Sequence, residues 1–341
     1  MVICFAFGKE RLFMPLDWSP FVEIVRRHQR FLFTTHVRPD GDGLGSMKAL
    51  ALALQQLGKQ VQLVIASSMP PRYRFLDPEG AIAQFSPPGD SWRQAEVAII
   101  LDTGTWNQLG NFGPFLRTLP AAKLVIDHHQ TQDDLGAIRL VDATAEATGR
   151  LVAEAIGALG VPLSSGVANM LFVALAMDTG WFRHSNATAP TFALAETLLR
   201  AGAQPTALYE ELFEANTLPG LKLKGRALDR LQVVHNGQVA YTEIRLSDYE
   251  ETGATPQDTE DLVNFTRSVA GVEVGLLFVE QQRGGVKVSF RSRARVDVAR
   301  IAEQFAGGGH RLASGATIEA SLPEARARVL LAVTAALDAT R

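Results

Sequence analysis

Apolar and polar positions along the first half of the chain follow two periods in alternation. Residues 30–33 form a short apolar run, and residues 44–57 place apolar side chains at helical spacing before stopping at Gly58, which predicts a strand and a helix with a turn between them. Residues 60–66, rich in β-branched side chains, predict a second strand. The stretch 67–91 is rich in proline and glycine and lacks a clear period, so it is assigned to a surface excursion with one or two short helices. Residues 97–101 and 124–126 are continuous apolar runs of the kind buried on both faces of a parallel sheet, and 137–141 predicts one more strand. Helical spacing then covers 148–159 and 167–176. Strands that alternate with helices in this way imply a parallel α/β sheet.

Residues 188–230 are helical in pattern throughout, punctuated by Gly202, Pro205, Pro219 and Gly225. A second alternation starts at 231. It has strands over 231–235 and 238–245, a helix over 257–268, strands over 272–280 and 285–291, a helix over 296–305, a strand near 316–320 and a final amphipathic helix. Asn236-Gly237 and Gly284-Gly285 sit where tight hairpins need positive φ. The expected architecture is therefore α/β: an N-terminal parallel-sheet domain over 1–187, a helical connector over 188–230 and a smaller C-terminal α/β domain over 231–341. A chain of 341 residues suits two cores better than one.

Charge narrows the partners. A formal net charge of −3 argues against broad electrostatic binding to duplex nucleic acid, so any nucleic-acid substrate is expected to be short. The single cysteine, Cys4, can make neither an internal disulfide nor a thiolate zinc cluster, which points to a cytoplasmic setting. Residues 1–13 are apolar, but charges interrupt them too early for a signal peptide or a membrane span, and Met14 is a candidate alternative start.

Chemistry gathers just beyond the predicted strands. The turn over 34–46 reads TTHVRPDGDGLGS and carries His36, Asp40 and Asp42; the run 97–101 leads into Asp102, and 124–126 leads into Asp127-His128-His129. In open α/β sheets ligands bind beyond the carboxyl ends of the strands, so these groups are expected to converge on one crevice. Asp178 follows the apolar helix 167–176, and an acid at the negative end of a helix dipole calls for a compensating cation. His36, Asp40, Asp42, Asp102, His128 and Asp178 amount to two imidazoles and four carboxylates without a thiolate. That inventory suits two divalent cations, Mn²⁺ before zinc, with Mg²⁺ or Co²⁺ as alternatives. Such a pair activates water and stabilises charge on a phosphoryl group. No dinucleotide fingerprint, Walker-type loop or serine nucleophile elbow occurs in the sequence, which leaves phosphoester hydrolysis as the expected reaction.

Asp127-His128-His129 after a strand, with His36-x-x-x-Asp40-x-Asp42 upstream and Asp102 between, resembles the DHH phosphoesterase superfamily. Gly307-Gly308-Gly309-His310, preceded by Arg291-Ser292 and Asp297-Val298, resembles its DHH-associated C-terminal domain. The resemblance covers nearly the whole chain. Within the superfamily the layout is most similar to the NrnA-type oligoribonucleases (nanoRNases), which also dephosphorylate 3′-phosphoadenosine 5′-phosphate (pAp).

The resemblance implies a phosphodiesterase that degrades short single-stranded RNA or DNA oligonucleotides to mononucleotides, acts on pAp and works in a cleft between the domains. A cyclic-di-AMP or linear dinucleotide phosphodiesterase is the alternative, and a non-catalytic RNA-binding protein a more distant one. By the same resemblance, His36, Asp40 and Asp102 hold one metal and Asp42, Asp102, His128 and Asp178 the other, with Asp102 bridging. His129 would hydrogen-bond or protonate the phosphate region, or merely pack, and Asp127 would buttress a ligand or cap a turn. Gly307, Gly308, Gly309 and His310 would grip the phosphate or nucleotide. Arg291 is the arginine the pattern places at the substrate. Arg293 and Arg295 share its face if the strand persists, and Arg267, Arg183 and His184 either reach phosphate or lie on the solvated surface. No membrane partner is expected, and a homodimer stays open.

Overall fold

The computed structural model describes residues 16–259 and 261–340; Cys4, the apolar opening stretch and Met14 lie outside them. The chain divides into two units, the first ending at Ala215 and the second starting at Asn216.

The first unit runs through α1 (Ser19–Arg27), β1 (Arg30–Thr34), α2 (Gly41–Gln56), β2 (Gln60–Ile65), β3 (Ile82–Gln84), β4 (Val97–Leu101), α3 (Phe112–Thr118), β5 (Ala122–Asp127), β6 (Ile138–Val141), α4 (Thr148–Ala158), α5 (Ser165–Asp178), α6 (Ala189–Arg200) and α7 (Pro205–Tyr209). Its strands are all parallel, in the order β3-β2-β1-β4-β5-β6. Continuous apolar runs fit this sheet because both faces are covered. Phe31, Phe33, Val97, Ile99 and Leu101 pack with residues of α2, α4 and α5, while Leu32, Ala98, Ile100 and Val125 pack with Phe112, Phe115 and Leu116 of α3. Strand order reverses between β1 and β4, which lie side by side, and such a reversal is where the loops leaving two neighbouring strands part and open a crevice.

Two elements of this unit differ from the sequence expectation. Within the presumed surface excursion, Ile82–Gln84 pairs with β2 as the edge strand β3; only Ile82 of the three is buried, too little pattern to read as a strand. α2 begins at Gly41, ahead of residue 44, because the Asp40 carboxylate caps it, accepting from the N–H of Asp42 at 3.0 Å and of Gly43 at 3.1 Å. Asp42 therefore stands in the first turn of a helix.

The second unit contains α8 (Leu218–Asp229), β7 (Gln232–Val234), β8 (Val239–Ile244), α9 (Leu246–Thr252), α10 (Leu262–Ser268), β9 (Val274–Glu280), β10 (Val286–Ser292), α11 (Val298–Glu303), β11 (Gly308–His310), β12 (Ala313–Ile318) and α12 (Leu322–Asp338). The sheet order is β11-β12-β10-β9-β8-β7, parallel only between β8 and β9. Alternation sets its two faces. Val274, Leu276, Phe278, Val288 and Phe290 pack with α11 and α12, while Leu277 and Val279 pack with Leu223 of α8 and with Leu262 and Val263 of α10.

The residues expected to form a connector divide between the units: α6, α7 and a π-helical turn over Glu210–Glu214 belong to the first, α8 to the second. The helix expected over 257–268 is a 3-10 turn, Pro256–Thr259, followed by α10. The last two glycines of the run and His310 form the edge strand β11. A Cβ at Gly307 would lie 2.3 Å from the Gly315 carbonyl oxygen, and one at Gly309 2.7 Å from that of Ala313, so glycine is what lets this segment approach β12. Among the described residues no helix is long and apolar enough to cross a membrane.

Candidate metal centre

The loops leaving β1, β4 and β5, the first turn of α2 and the last residue of α5 bring six side chains together beside the strand-order reversal. Asp42 is wholly buried and held from two directions. The start of α4 donates to it, Thr148 N to Oδ2 at 2.7 Å and Gly149 N to Oδ1 at 2.9 Å, and Ser46 Oγ donates to Oδ1 at 3.2 Å. Asp102 follows β4 with φ of 62°, a left-handed conformation that aspartate and asparagine enter more readily than most residues. Its Oδ1 accepts from Thr148 Oγ1 at 2.9 Å. The two histidines are oriented alike: His36 Nδ1 lies 3.0 Å from the Val37 carbonyl and His128 Nδ1 3.1 Å from that of Ala145. A carbonyl only accepts, so each ring donates through Nδ1 and turns Nε2 to the carboxylates.

His36 Nε2 stands 3.6 Å from Asp40 Oδ1 and 3.4 Å from Asp102 Oδ2. His128 Nε2 stands 3.3 Å from Asp178 Oδ2, 3.6 Å from Asp102 Oδ1 and 3.8 Å from Asp42 Oδ2. These gaps exceed the length of a good charge-assisted hydrogen bond. They resemble the separation of roughly 3 to 3.6 Å between ligand atoms that share one ion at about 2.0–2.2 Å. Ligand atoms of His36, Asp40 and Asp102 lie within 4.8 Å of one another, as do those of Asp42, His128 and Asp178. Asp102 offers Oδ2 to the first histidine and Oδ1 to the second, so all six residues singled out in the sequence share one place.

The electrostatics call for positive charge. Burial raises the Asp42 carboxyl well above its ordinary range, and Asp102, Asp178 and Asp40 add to this against the Thr148 N–H. Burial likewise drives Asp178 up to about 7, with Asp102 and Asp40 pushing the same way and His128 opposing. Burial would depress the His36 imidazole, but Asp102 and Asp40 outweigh it and push it up to about 11. Carboxylates this crowded take up protons unless cations neutralise them, and the donor set, nitrogen and carboxylate oxygen, is one that divalent cations accept.

Asp127, fully buried at the end of β5, supports His129. Its Oδ1 accepts from His129 N at 3.1 Å and sits 2.8 Å from His129 Nδ1, and Gln132 Nε2 donates to Oδ2. The Asp127 contact pushes the half-exposed His129 up to about 9 against burial. Burial would raise Asp127, but His129 outweighs it and holds the carboxyl below its usual range. The buttress expected for a ligand thus acts on the neighbouring ring, while the ligand candidate His128 leans on a backbone carbonyl. Thr148, Ser46 and Gln132 were not singled out in the sequence; a threonine opening a helix reads as an ordinary cap.

In the second unit, register places four residues in one row across the sheet. Arg291 pairs with Gly275 on one side and Ala313 on the other, and Ala313 pairs with His310. Paired residues point to the same face, so Arg291 and His310 share one. Arg291 is half-buried, which lowers its guanidinium pKa, and Nη1 donates to the Phe290 carbonyl at 3.0 Å; His310 is exposed. The strand ends at Ser292, so Arg293 and Arg295 leave that face. Arg293 donates to the carbonyls of Val272 and Arg267 at 3.0 and 2.9 Å, and Arg295 faces Glu273 at 3.5 Å. Arg183 is exposed and bonds the Gly180 carbonyl at 2.8 Å, and His184 is exposed beside Gly180; neither joins the metal cluster.

Comparison with known proteins agrees with this geometry. Residues 30–175 match the DHH family N-terminal domain and residues 236–338 the DHHA1 domain. A Thermus thermophilus protein named bifunctional oligoribonuclease and PAP phosphatase NrnA is 33% identical over 303 residues, 88% of this chain and 87% of that one. A Bacillus subtilis protein of the same name is 26% identical over 88% of this chain and 93% of its own. Among solved structures, an exopolyphosphatase-related protein from Bacteroides fragilis shares the fold with a TM-score of 0.89 at 22% identity, covering 94% of this chain and 97% of that one.

Proposed function

This chain belongs to the DHH family and carries its DHHA1 domain, and from that premise we propose that it hydrolyses the phosphodiester bonds of short oligoribonucleotides to mononucleotides and removes the 3′-phosphate of pAp, with two divalent cations, preferentially Mn²⁺. The observation that carries the reading is Asp102, whose two oxygens are shared between two histidine–carboxylate groups. Names of relatives that cover most of both chains support the substrate class.

His36, Asp40 and Asp102 would hold one ion, and Asp42, Asp102, His128 and Asp178 the other. When bound, such a pair supplies an activated water and neutralises charge developing on the phosphoryl group. The chain's own part is preorganisation. Asp42 cannot turn away, because three donors fix both of its oxygens, and Asp102 is anchored by Thr148. His129, whose pKa the Asp127 contact raises and whose ring Asp127 holds through Nδ1, would donate to a phosphoryl oxygen or to the departing one. Arg291 and His310, on one sheet face, bind substrate phosphate and nucleotide, and Gly308 beside them leaves open space where a side chain would stand.

The test is hydrolysis of a labelled RNA series from dinucleotide to long oligomer, with pAp and cyclic-di-AMP in parallel. The expected result is turnover of dinucleotides to pentanucleotides and of pAp, abolished by EDTA and restored by Mn²⁺. Preference for cyclic-di-AMP, or for long RNA, would overturn the assignment.

A further inference from the structure

Just beyond Asp178 the chain makes a strained turn. Gly180, Trp181 and Phe182 follow one another in the left-handed region, with φ of 57°, 57° and 63°, a conformation that bulky side chains avoid. Backbone and rings together hold it. Thr179 Oγ1 accepts from Phe182 N at 3.2 Å, and Trp181 N donates to the Ala176 carbonyl at 2.6 Å. Trp181 packs on Phe172, Tyr209 and Phe213, and Phe182 on Phe172 and Phe192, with ring centroids 5.2 to 5.8 Å apart. Strain of this kind persists only where the surroundings enforce it, and it gathers at functional sites. The residue that this turn brings back to Asp178 is Asn186.

Asn186 Nδ2 donates to two backbone carbonyls, that of Asp178 and that of Glu146, each at 3.2 Å. Both partners only accept, so the amide nitrogen must face them; Oδ1 is buried and has no hydrogen-bond partner among the described residues. The side chain therefore acts as a donor alone. Glu146 lies in a segment that supports the other ligands of the same group. There the Ala145 carbonyl orients His128, Thr148 N and Gly149 N hold Asp42, and the Thr148 hydroxyl holds Asp102. The Glu146 carboxylate takes no part, because it turns to Arg150 at 3.1 Å. One amide thus joins the end of α5, which carries Asp178, to the approach of α4, which steadies Asp42, Asp102 and His128. His36 and Asp40 have supports of their own: His36 leans on the Val37 carbonyl, and Asp40 caps α2.

We propose that Asn186 is a positioning residue for one of the two cation sites, that of Asp42, Asp102, His128 and Asp178, and that the strained turn is what returns it there. This rests on the reading of the cluster as a pair of divalent cation sites. Asn186 donates to backbone and not to a carboxylate or an imidazole. It acts on Asp178 through that residue's own carbonyl and on the other three ligands through the segment 145–149. Outer partners of this kind fix where ligand atoms stand before an ion arrives, and their loss lowers affinity about tenfold to a hundredfold. The site of His36 and Asp40 shares only Asp102 with this one, so the loss should fall on one ion of the pair.

The test is a Mn²⁺ titration of the full-length chain, stripped with EDTA and then dialysed, with free Mn²⁺ read by electron paramagnetic resonance. Wild-type protein is expected to bind two ions. Asn186→Leu, similar in shape but without a donor, should weaken one of them by about tenfold or more and leave the other unchanged. Asn186→Gln, which keeps the amide on a longer stem, should recover part of the loss. Where circular dichroism shows Asn186→Leu unfolded, Asn186→Ser, whose hydroxyl cannot donate to both carbonyls, carries the same expectation. Unchanged affinity for both ions would overturn the proposal, and so would equal weakening of both, which would mark a general loosening of the first unit. A wild type that binds no Mn²⁺ would overturn it together with the reading of the cluster. Failure of the hydrolase reading is separate: the wild type would bind both ions and turn over neither short RNA nor pAp, while the one-sided loss in Asn186→Leu stood.

Discussion

Asp102 combines a backbone conformation that most residues avoid with a carboxylate divided between two histidines. Asp102→Asn keeps the left-handed φ at little strain, keeps an acceptor for Thr148 and removes one charge from a crowded cluster. Activity should fall by more than about a hundredfold, beyond the loss typical of an outer hydrogen-bond partner. Its melting temperature in EDTA should be no lower than wild type, and the rise that Mn²⁺ gives the wild type should vanish. Retained turnover would remove Asp102 from the metal-holding role. Asp102→Ala should be less stable than Asp102→Asn by about 1 kcal/mol, because alanine gains nothing at positive φ. Thr148→Val leaves the backbone donor to Asp42 in place and removes only the hydroxyl on Asp102, so a tenfold to hundredfold loss of metal affinity is expected in a Mn²⁺ titration with little change in fold. An unchanged affinity would make that hydroxyl merely structural. The six candidate ligands were legible in the sequence because Asp102 and His128 follow the ends of strands, Asp178 ends a buried helix, and His36, Asp40 and Asp42 lie on the turn and first helical residues after β1. Thr148 was not, because it meets Asp102 across 46 residues and its local pattern is that of any helix start.

At the scale of elements, α2 matters because its first turn carries Asp42 and its cap is Asp40, so its position against α5 sets the site. That packing pivots on Gly45. A Cβ there would stand 2.6 Å from the Met170 carbonyl oxygen and 3.0 Å from the Ala174 amide nitrogen, both backbone atoms that cannot swing aside. Gly→Ala in a helix normally adds about 1 kcal/mol, but here overpacking of about 1–3 kcal/mol opposes it, so Gly45→Ala should destabilise the protein and weaken metal binding by shifting α2. Gly225, in α8 with nothing within 4 Å, is the control, and Gly225→Ala should stabilise by about 0.5–1 kcal/mol. Thermal melts of the two variants decide the matter, and a Gly45→Ala protein as stable as wild type would mean that the helices separate without cost. The same contrast explains which elements could be read. β4 and α5 are so apolar that burial on all sides is the only reading, whereas β3 has one buried residue and β11 consists of two glycines and a histidine. Such edge strands exist because a neighbour offers a ladder, which a single-chain pattern does not display.

The two units differ in their electrostatic liabilities, and this gives the whole molecule a pH signature. In the second unit, burial would raise Asp248, but the Arg230 guanidinium and the Arg245 N–H outweigh it and hold its pKa low; Glu273 is likewise held low by its four donors against burial. A depressed carboxyl contributes stability that is present above its unfolded value and lost as pH falls through the folded one, so this unit should weaken below about pH 4. The metal-free first unit shares this acid loss through Asp40, Asp77 and Asp127, whose carboxyls are also held low, and adds a loss in the other direction. Asp42 and Asp178 are raised, so the folded state binds more protons than the unfolded one and stability falls as pH climbs toward about 7. His36 and His129 are raised to about 11 and about 9, and their contribution, full below 6.5, is lost as pH rises further. Divalent cations bind the deprotonated ligands and should cancel that alkaline loss. The four tryptophans, Trp18, Trp92, Trp106 and Trp181, all lie in the first unit, so their fluorescence reports on it alone while far-ultraviolet circular dichroism reports on both. In EDTA the fluorescence melting temperature should fall by roughly 5 °C or more between pH 6 and 9, and Mn²⁺ should flatten the curve. A flat curve in EDTA would mean that the carboxylates already have their positive charge from within the chain, and the case for cations at this cluster would then fail.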